Sequence, residues 1–150
     1  MSDNNIWSDE WGEQQEDWSG GGGRGKPLAR GEDLGASIYE LDPGNFVVYH
    51  FHHRWEELLI VLRGTPTLRT PEGERILDEG EVVLFPVGPV GTHALRNETH
   101  TLVRFVMAST QGGPEVAEYP DLRQITAQAR TGSQTGDRLW FIYDVPDREQ

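Results

Sequence analysis

The chain has 150 residues, enough for one domain with a modest core, and a formal net charge of −12 that repels phosphate backbones and anionic lipid surfaces. It has no cysteine, which excludes disulfides and thiolate metal sites and agrees with a reducing compartment. No apolar run approaches membrane-spanning length, and the opening MSDNNIWSDE lacks the basic and apolar regions of a signal peptide. A cytoplasmic protein that binds neither nucleic acid nor membrane is expected.

Residues 1–19 are acidic, interrupted by Ile6, Trp7, Trp11 and Trp18. At about 100° per residue the three tryptophans fall in a narrow arc of a helix, which Gly12 weakens. A plain acidic tail would leave three indoles in water. The sharper expectation is an arm that docks its tryptophans on the barrel or on the second subunit of a homodimer. Gly20 to Gly25 reads as a flexible connector. Gly20, four residues, then Gly25-Lys26 also matches a phosphate loop in form. Pro27 stands where a magnesium-binding Ser or Thr is needed, and no apolar strand precedes the run, so that reading is rejected.

From Leu34 the chain is a series of short apolar runs separated by turn residues, the pattern of an all-β sandwich or barrel. Strands are expected at Ala36–Leu41, Phe46–His52 and Glu57–Arg63, then as a hairpin across Thr70-Pro71-Glu72-Gly73, then at Glu81–Phe85. Leu59 and Val61 share the face of Glu57 while Leu58, Ile60 and Leu62 take the other, so this strand should be covered on both sides. A Pro- and Gly-rich loop delivers His93, with Leu95 and Asn97 on its face. Thr101–Ala108 closes the core. Between Ser109 and Asp137 the composition is Gly-, Gln- and Thr-rich, and Leu122, Ile125 and Ala129 suggest at most a short helix. Arg138–Val145 reads as a last strand.

The chemistry lies in GNFVVYHFHHRWEELLIVLRG, residues 44–64. Side chains two apart on a strand point the same way, so His50 and His52 present two imidazoles together. The following strand can bring Glu57 beside them. Two nitrogens and a carboxylate suit a divalent first-row transition metal better than calcium or magnesium, which prefer oxygen. Glu56 is sent to the opposite face, and Phe51 and His53 point away from the pair. His100 falls in a solvated turn, and Trp55 lies between the two strands, where it could wall a pocket. The bland alternative is a polar core without a metal. No other catalytic signature is present: there is no Cys nucleophile and no Gly-x-Ser-x-Gly, so catalytic residues outside this set stay unassigned.

These residues resemble the first motif of the cupins: Gly44, five residues, His50-x-His52, four residues, Glu57, six residues, Gly64. Gly80, Pro86, Gly88, His93 and Asn97 resemble the second, with two extra residues between Gly88 and His93. The resemblance covers about residues 34–109. It implies a double-stranded β-helix, the jelly-roll-like cupin barrel, flanked by an arm and linker over 1–33 and an extension over 110–150. It also implies one divalent metal (Fe, Mn, Ni or Zn) held by His50, His52, Glu57 and His93. Cupins with this ligand set include dioxygenases, lyases and isomerases, so a metalloenzyme acting on a small oxygen-chelating molecule is one expectation. A metal-dependent binding or sensing module without turnover, or an oligomerising scaffold, is the alternative.

Overall fold

The structure is a computed structural model and describes residues 4–11, 23–130 and 138–147. It is all-β. Among the described residues the strands are β1 (Gly23–Arg30), β2 (Leu34–Leu41), β3 (Phe46–His52), β4 (Glu57–Arg63), β5 (Thr67–Thr70) and β6 (Gly73–Ile76). They continue with β7 (Val82–Phe85), β8 (His93–Arg96), β9 (Val103–Thr110), β10 (Glu115–Tyr119), β11 (Gln124–Arg130) and β12 (Arg138–Asp144). No helix among the described residues is long and apolar enough to cross a membrane.

A five-stranded sheet in the order β1-β2-β9-β4-β7 faces a seven-stranded sheet in the order β12-β11-β10-β3-β8-β5-β6. Between them lies a core of Leu41, Leu59, Val61, Leu68, Leu77, Phe85, Leu95, Val103 and Phe105. This is a double-stranded β-helix. The four motif glycines Gly44, Gly64, Gly80 and Gly88 all adopt positive φ, between 81° and 86°. Only glycine takes that conformation freely, so each marks a strand end that a side chain would strain.

The apolar pattern of β4 is explained by cover on both faces. Leu59 and Val61 enter the inter-sheet core, while Ile60 and Leu62 pack outside it on a second cluster built from Trp11, Leu28, Ile38 and Val106. That second cluster places the arm. Residues 4–11 lie on the outer face of the five-stranded sheet of their own barrel, with Trp11 buried and Trp7 half-exposed. They form a turn and not a helix, because Asn5 caps locally: its Oδ1 accepts the Trp7 N–H at 2.8 Å and its carbonyl accepts the Ser8 N–H at 3.0 Å. Such short-range bonds compete with helix. Trp18 and residues 12–22 lie outside the described residues.

Two segments depart from the sequence reading. Gly23–Gly25, expected as flexible connector, belongs to β1 and pairs with Tyr39–Leu41. A Cβ at Gly25 would stand 2.6 Å from the Tyr39 ring, so the glycine is there to let two strands meet over an aromatic ring. Beyond Ser109 no helix forms around Leu122–Ala129. The chain instead makes β10 and β11, in register from Glu115↔Gln128 to Tyr119↔Gln124, and β12 pairs along β11. Ile125, Ala127 and Ala129 alternate, and period two prevails over the sparse helical spacing.

Candidate metal centre

β3 carries His50 and His52 on its inner face, and β8 brings His93 directly opposite His50. β4 opens with Glu57, whose register partners across the five-stranded sheet are Ser109 and Phe85. The two extra residues before His93 are absorbed by a single 3-10 turn, Pro89–Gly91. A Cβ at Gly91 would lie 1.7 Å from the Pro86 carbonyl oxygen, so the loop can fold back on itself only with glycine there.

The four side chains meet at one point. Ligand atoms of His50, His52 and Glu57 all lie within 4.8 Å of one another. Glu57 Oε2 stands 3.3 Å from His52 Nε2, 3.2 Å from His93 Nε2 and 3.9 Å from His50 Nε2. His93 thus joins the carboxylate although it falls outside the tighter trio. His52 Nε2, His93 Nε2 and Glu57 Oε2 are buried without an aligned hydrogen-bond partner. An orphaned buried polar atom is costly, and three aimed at one another form the unsatisfied arrangement that a cation would complete.

The other ring nitrogens are fixed. His50 Nδ1 donates to the Val48 carbonyl at 2.6 Å and His93 Nδ1 to the Gly91 carbonyl at 2.9 Å. A carbonyl can only accept, so each Nδ1 carries a hydrogen and each Nε2 is left to face the centre. His52 Nδ1 lies 3.1 Å from Glu115 Oε1, a buried carboxylate that also accepts the His53 N–H. Outer carboxylate and carbonyl partners of this kind orient metal-binding imidazoles. Stacked rings hold the set further: Phe85 on His93 at 3.7 Å, Trp55 on His52 at 5.6 Å and Tyr119 on His50 at 5.7 Å.

The electrostatics agree with a cation's place. Burial, then the neighbouring His93, pushes His50 down to about 3, so it is neutral. Burial also acts downward on His52, but the carboxylates of Glu115 and Glu57 outweigh it and raise His52 to about 9. Burial alone would raise Glu57, yet His52 and His93 hold it well below the ordinary carboxylate range. In the metal-free protein a proton on His52 faces an ionised Glu57. These donors fit a divalent transition metal.

Other expected residues fall where strand alternation sends them. Glu56 and His100 are exposed, and His53 pairs with Glu118 at 2.6 Å on the surface. Asn97 is buried but structural, its Nδ2 donating to the Leu41 and Thr101 carbonyls. Arg69 stacks on Tyr49 and pairs with Asp121 away from the cluster. Arg104 faces the opposite side of its sheet. Sequence reasoning missed Glu115, which lies 63 residues from His52 and meets it only through the β10–β3 pairing, Ala117↔His52. Glu115, Ala117 and Tyr119 share the buried face of β10, which the sequence Glu-Val-Ala-Glu-Tyr does not mark by apolar alternation.

An all-β barrel with imidazoles and a carboxylate gathered inside it defines a class of small jelly-roll proteins able to hold a metal. The cupin domain family matches residues 37–109, just under half of the chain, and with the fold this match supports a small cupin domain there. A germin-like protein of Arabidopsis thaliana, subfamily 1 member 2, is 31% identical over an alignment of 90 residues that covers 53% of this chain and 39% of that protein. The chain therefore spans well under half of that relative's length. Among solved structures, a candidate sugar phosphate isomerase from Acidithiobacillus ferrooxidans is similar with a TM-score of 0.69 at 22% identity, covering 85% of this chain and 80% of that one. A sugar phosphate isomerase of the cupin superfamily from Silicibacter pomeroyi gives 0.69 at 23%, covering 80% and 76%. At these identities the likeness is one of fold.

Proposed function

We propose that the protein holds one divalent transition metal through His50, His52, Glu57 and His93 and uses it to bind a small oxygen chelator: an enol, an oxo acid or a sugar-derived hydroxy carbonyl. The observation that carries this is the convergence of buried His52 Nε2 and His93 Nε2 on Glu57 Oε2 without an aligned hydrogen bond among them. Three neutral imidazoles and one carboxylate leave a divalent ion with a net local charge near +1, which favours a small oxygen donor at short range. A metal bound there would supply Lewis acidity toward a carbonyl, the chemistry shared by isomerases, lyases and oxygenases.

The chain's own residues set the frame. Val48 and Gly91 fix two imidazole tautomers through their carbonyls, and Glu115 orients the third ring. Phe85, Trp55 and Tyr119 press on the ligand rings and exclude water from their flanks. Tyr39 and Tyr119 both feel the Glu57 charge, and burial raises both phenols, so each keeps its proton at neutral pH. The similarity in fold to two proteins named as sugar phosphate isomerases supports a hydroxy carbonyl among the chelators.

Elemental analysis tests the centre. The purified protein should carry about one divalent metal per chain, and His52→Ala or Glu57→Ala should lose it while keeping the β-rich circular dichroism of the parent. Equal metal content in parent and both variants would overturn the assignment.

A further inference from the structure

The inner face of the five-stranded sheet continues past Glu57. In register across β4, β9 and β2, Glu57 is followed by Ser109 and then Gly35, and Gly35 is paired in turn with Arg30 at the end of β1. Residues paired side by side point to the same face, so Arg30 shares the face of Glu57. Gly35 has no side chain there, and the space is taken by others. A Cβ at Gly35 would lie 2.9 Å from Arg30 Nη1 and 2.9 Å from Gln111 Nε2. Arg30 Nη2 donates to Ser37 Oγ at 3.3 Å, and Gln111 Nε2 donates to Ser109 Oγ at 2.8 Å. With strands about 4.8 Å apart, Gly35 is about 10 Å across the sheet from Glu57.

Arg30 differs from most cations of the chain. Arg24, Arg69, Arg75, Arg96, Arg104 and Arg123 each meet a carboxylate within 4.0 Å, whereas Arg30 has no such pair among the described residues. Of the other cations in that position, Lys26 holds the arm through the Glu10 carbonyl and Arg54 sits in the exposed turn after β3. Arg63 lies at the end of β4 remote from Glu57. Arg30 alone of these sits in the row of Glu57. Arg30 is exposed at the open end of this face, and Tyr39, bonded to Ser37, feels both its charge and that of Glu57.

We propose that Arg30, supported by Ser37 and Gln111, is an anion-recognising group on the sheet face that carries Glu57, so that the molecule bound at the metal carries a carboxylate or phosphate as well as its chelating oxygens. A guanidinium fork matches either anion with two parallel hydrogen bonds. In a protein of net charge −12, such a local cation is needed to bring an anion to the centre. This deepens the metal-centre reading and rests on it.

The test uses the cobalt-loaded full chain and follows its visible spectrum. Two pairs of chelators separate the anion sources: dihydroxyacetone phosphate against dihydroxyacetone, and 2-oxoglutarate against 2-oxobutyrate. In the parent, the member bearing the extra anion should bind at least about tenfold more tightly in one pair, and that pair names the phosphate or the carboxylate. Arg30→Gln should erase the preference by weakening only that member, and Arg30→Lys should restore part of it, with cobalt content unchanged in both. Loaded protein with no preference in either pair, or with the same preference in Arg30→Gln, overturns the role of Arg30 and leaves the metal centre standing. A parent that takes up no cobalt overturns the centre and that role together.

Discussion

The two faces of the five-stranded sheet each bury charged side chains, and they do so in opposite ways. On the outer face, Arg104 of β9 lies directly across from Glu40 of β2, both almost fully buried, with the Arg104 Nε bonded to Glu40 Oε1 at 2.7 Å. Arg24 also reaches Glu40, Asp9 of the arm caps Arg104, and the Trp11 ring lies over Arg24 and Arg104. Arg104 and Glu40 find their partners within the chain. On the inner face, Glu57 meets His52 and His93 of the opposite sheet, and the three end in atoms directed at one another with no aligned partner. A cluster joined by aligned hydrogen bonds fixes structure, whereas one whose atoms converge without alignment is arranged for a ligand. Burial of charge alone would not have told them apart.

The largest effect should come from breaking the satisfied cluster. Arg104→Met leaves Glu40 buried with only Arg24 and should cost about 3 kcal/mol of stability, the low end for half of a buried pair. Urea denaturation of the metal-free protein measures it, and metal stoichiometry of the folded variant should match the parent. A loss under 1 kcal/mol would mean that the outer cluster is not the structural one (about the worth of an exposed pair).

Protons sharpen the contrast at the inner cluster. His52 is raised to about 9, so its proton stabilises the metal-free fold fully below the unfolded value of about 6.5 and that contribution is lost as pH rises through about 9. Metal must displace this same proton. Affinity should therefore climb about tenfold per pH unit between about 6.5 and 9, about 1.4 kcal/mol each, and flatten above. Calorimetry in buffers of different ionisation enthalpy should count about one proton released per metal at pH 7.5. A release of zero would show His52 already neutral in the empty centre.

Much of this was legible in the sequence, for physical reasons that also explain the rest. Strand alternation separates Glu57 from Glu56 and joins His50 to His52, because a period of two leaves no choice of face. The double cover of β4 was legible from Leu58–Leu62, since apolar residues on both faces need two partners. The glycines were misleading. Gly23 and Gly25 have no side chain to show a face, so a strand that packs by lacking side chains looks like a linker. Arg30 was hidden with them. Glu115 and Tyr119 lay in a segment without apolar alternation, and only the pairing of β10 with β3 brings them onto the histidines. Their contribution is tertiary, and no local pattern contains it.

The account turns on one face being a ligand site and the other a fixed structure, and thermal unfolding with and without metal tests that directly. A ligand at one hundred times its Kd stabilises by about 2.7 kcal/mol, worth about 5–10 °C in a chain of this size. Parent and Arg104→Met should both gain this shift from saturating Mn2+ or Zn2+, the variant from a lower starting point, while Glu57→Ala gains none. A Glu57→Ala protein that melts higher with metal by as much as the parent, or a parent that gains nothing from any divalent ion, would contradict it.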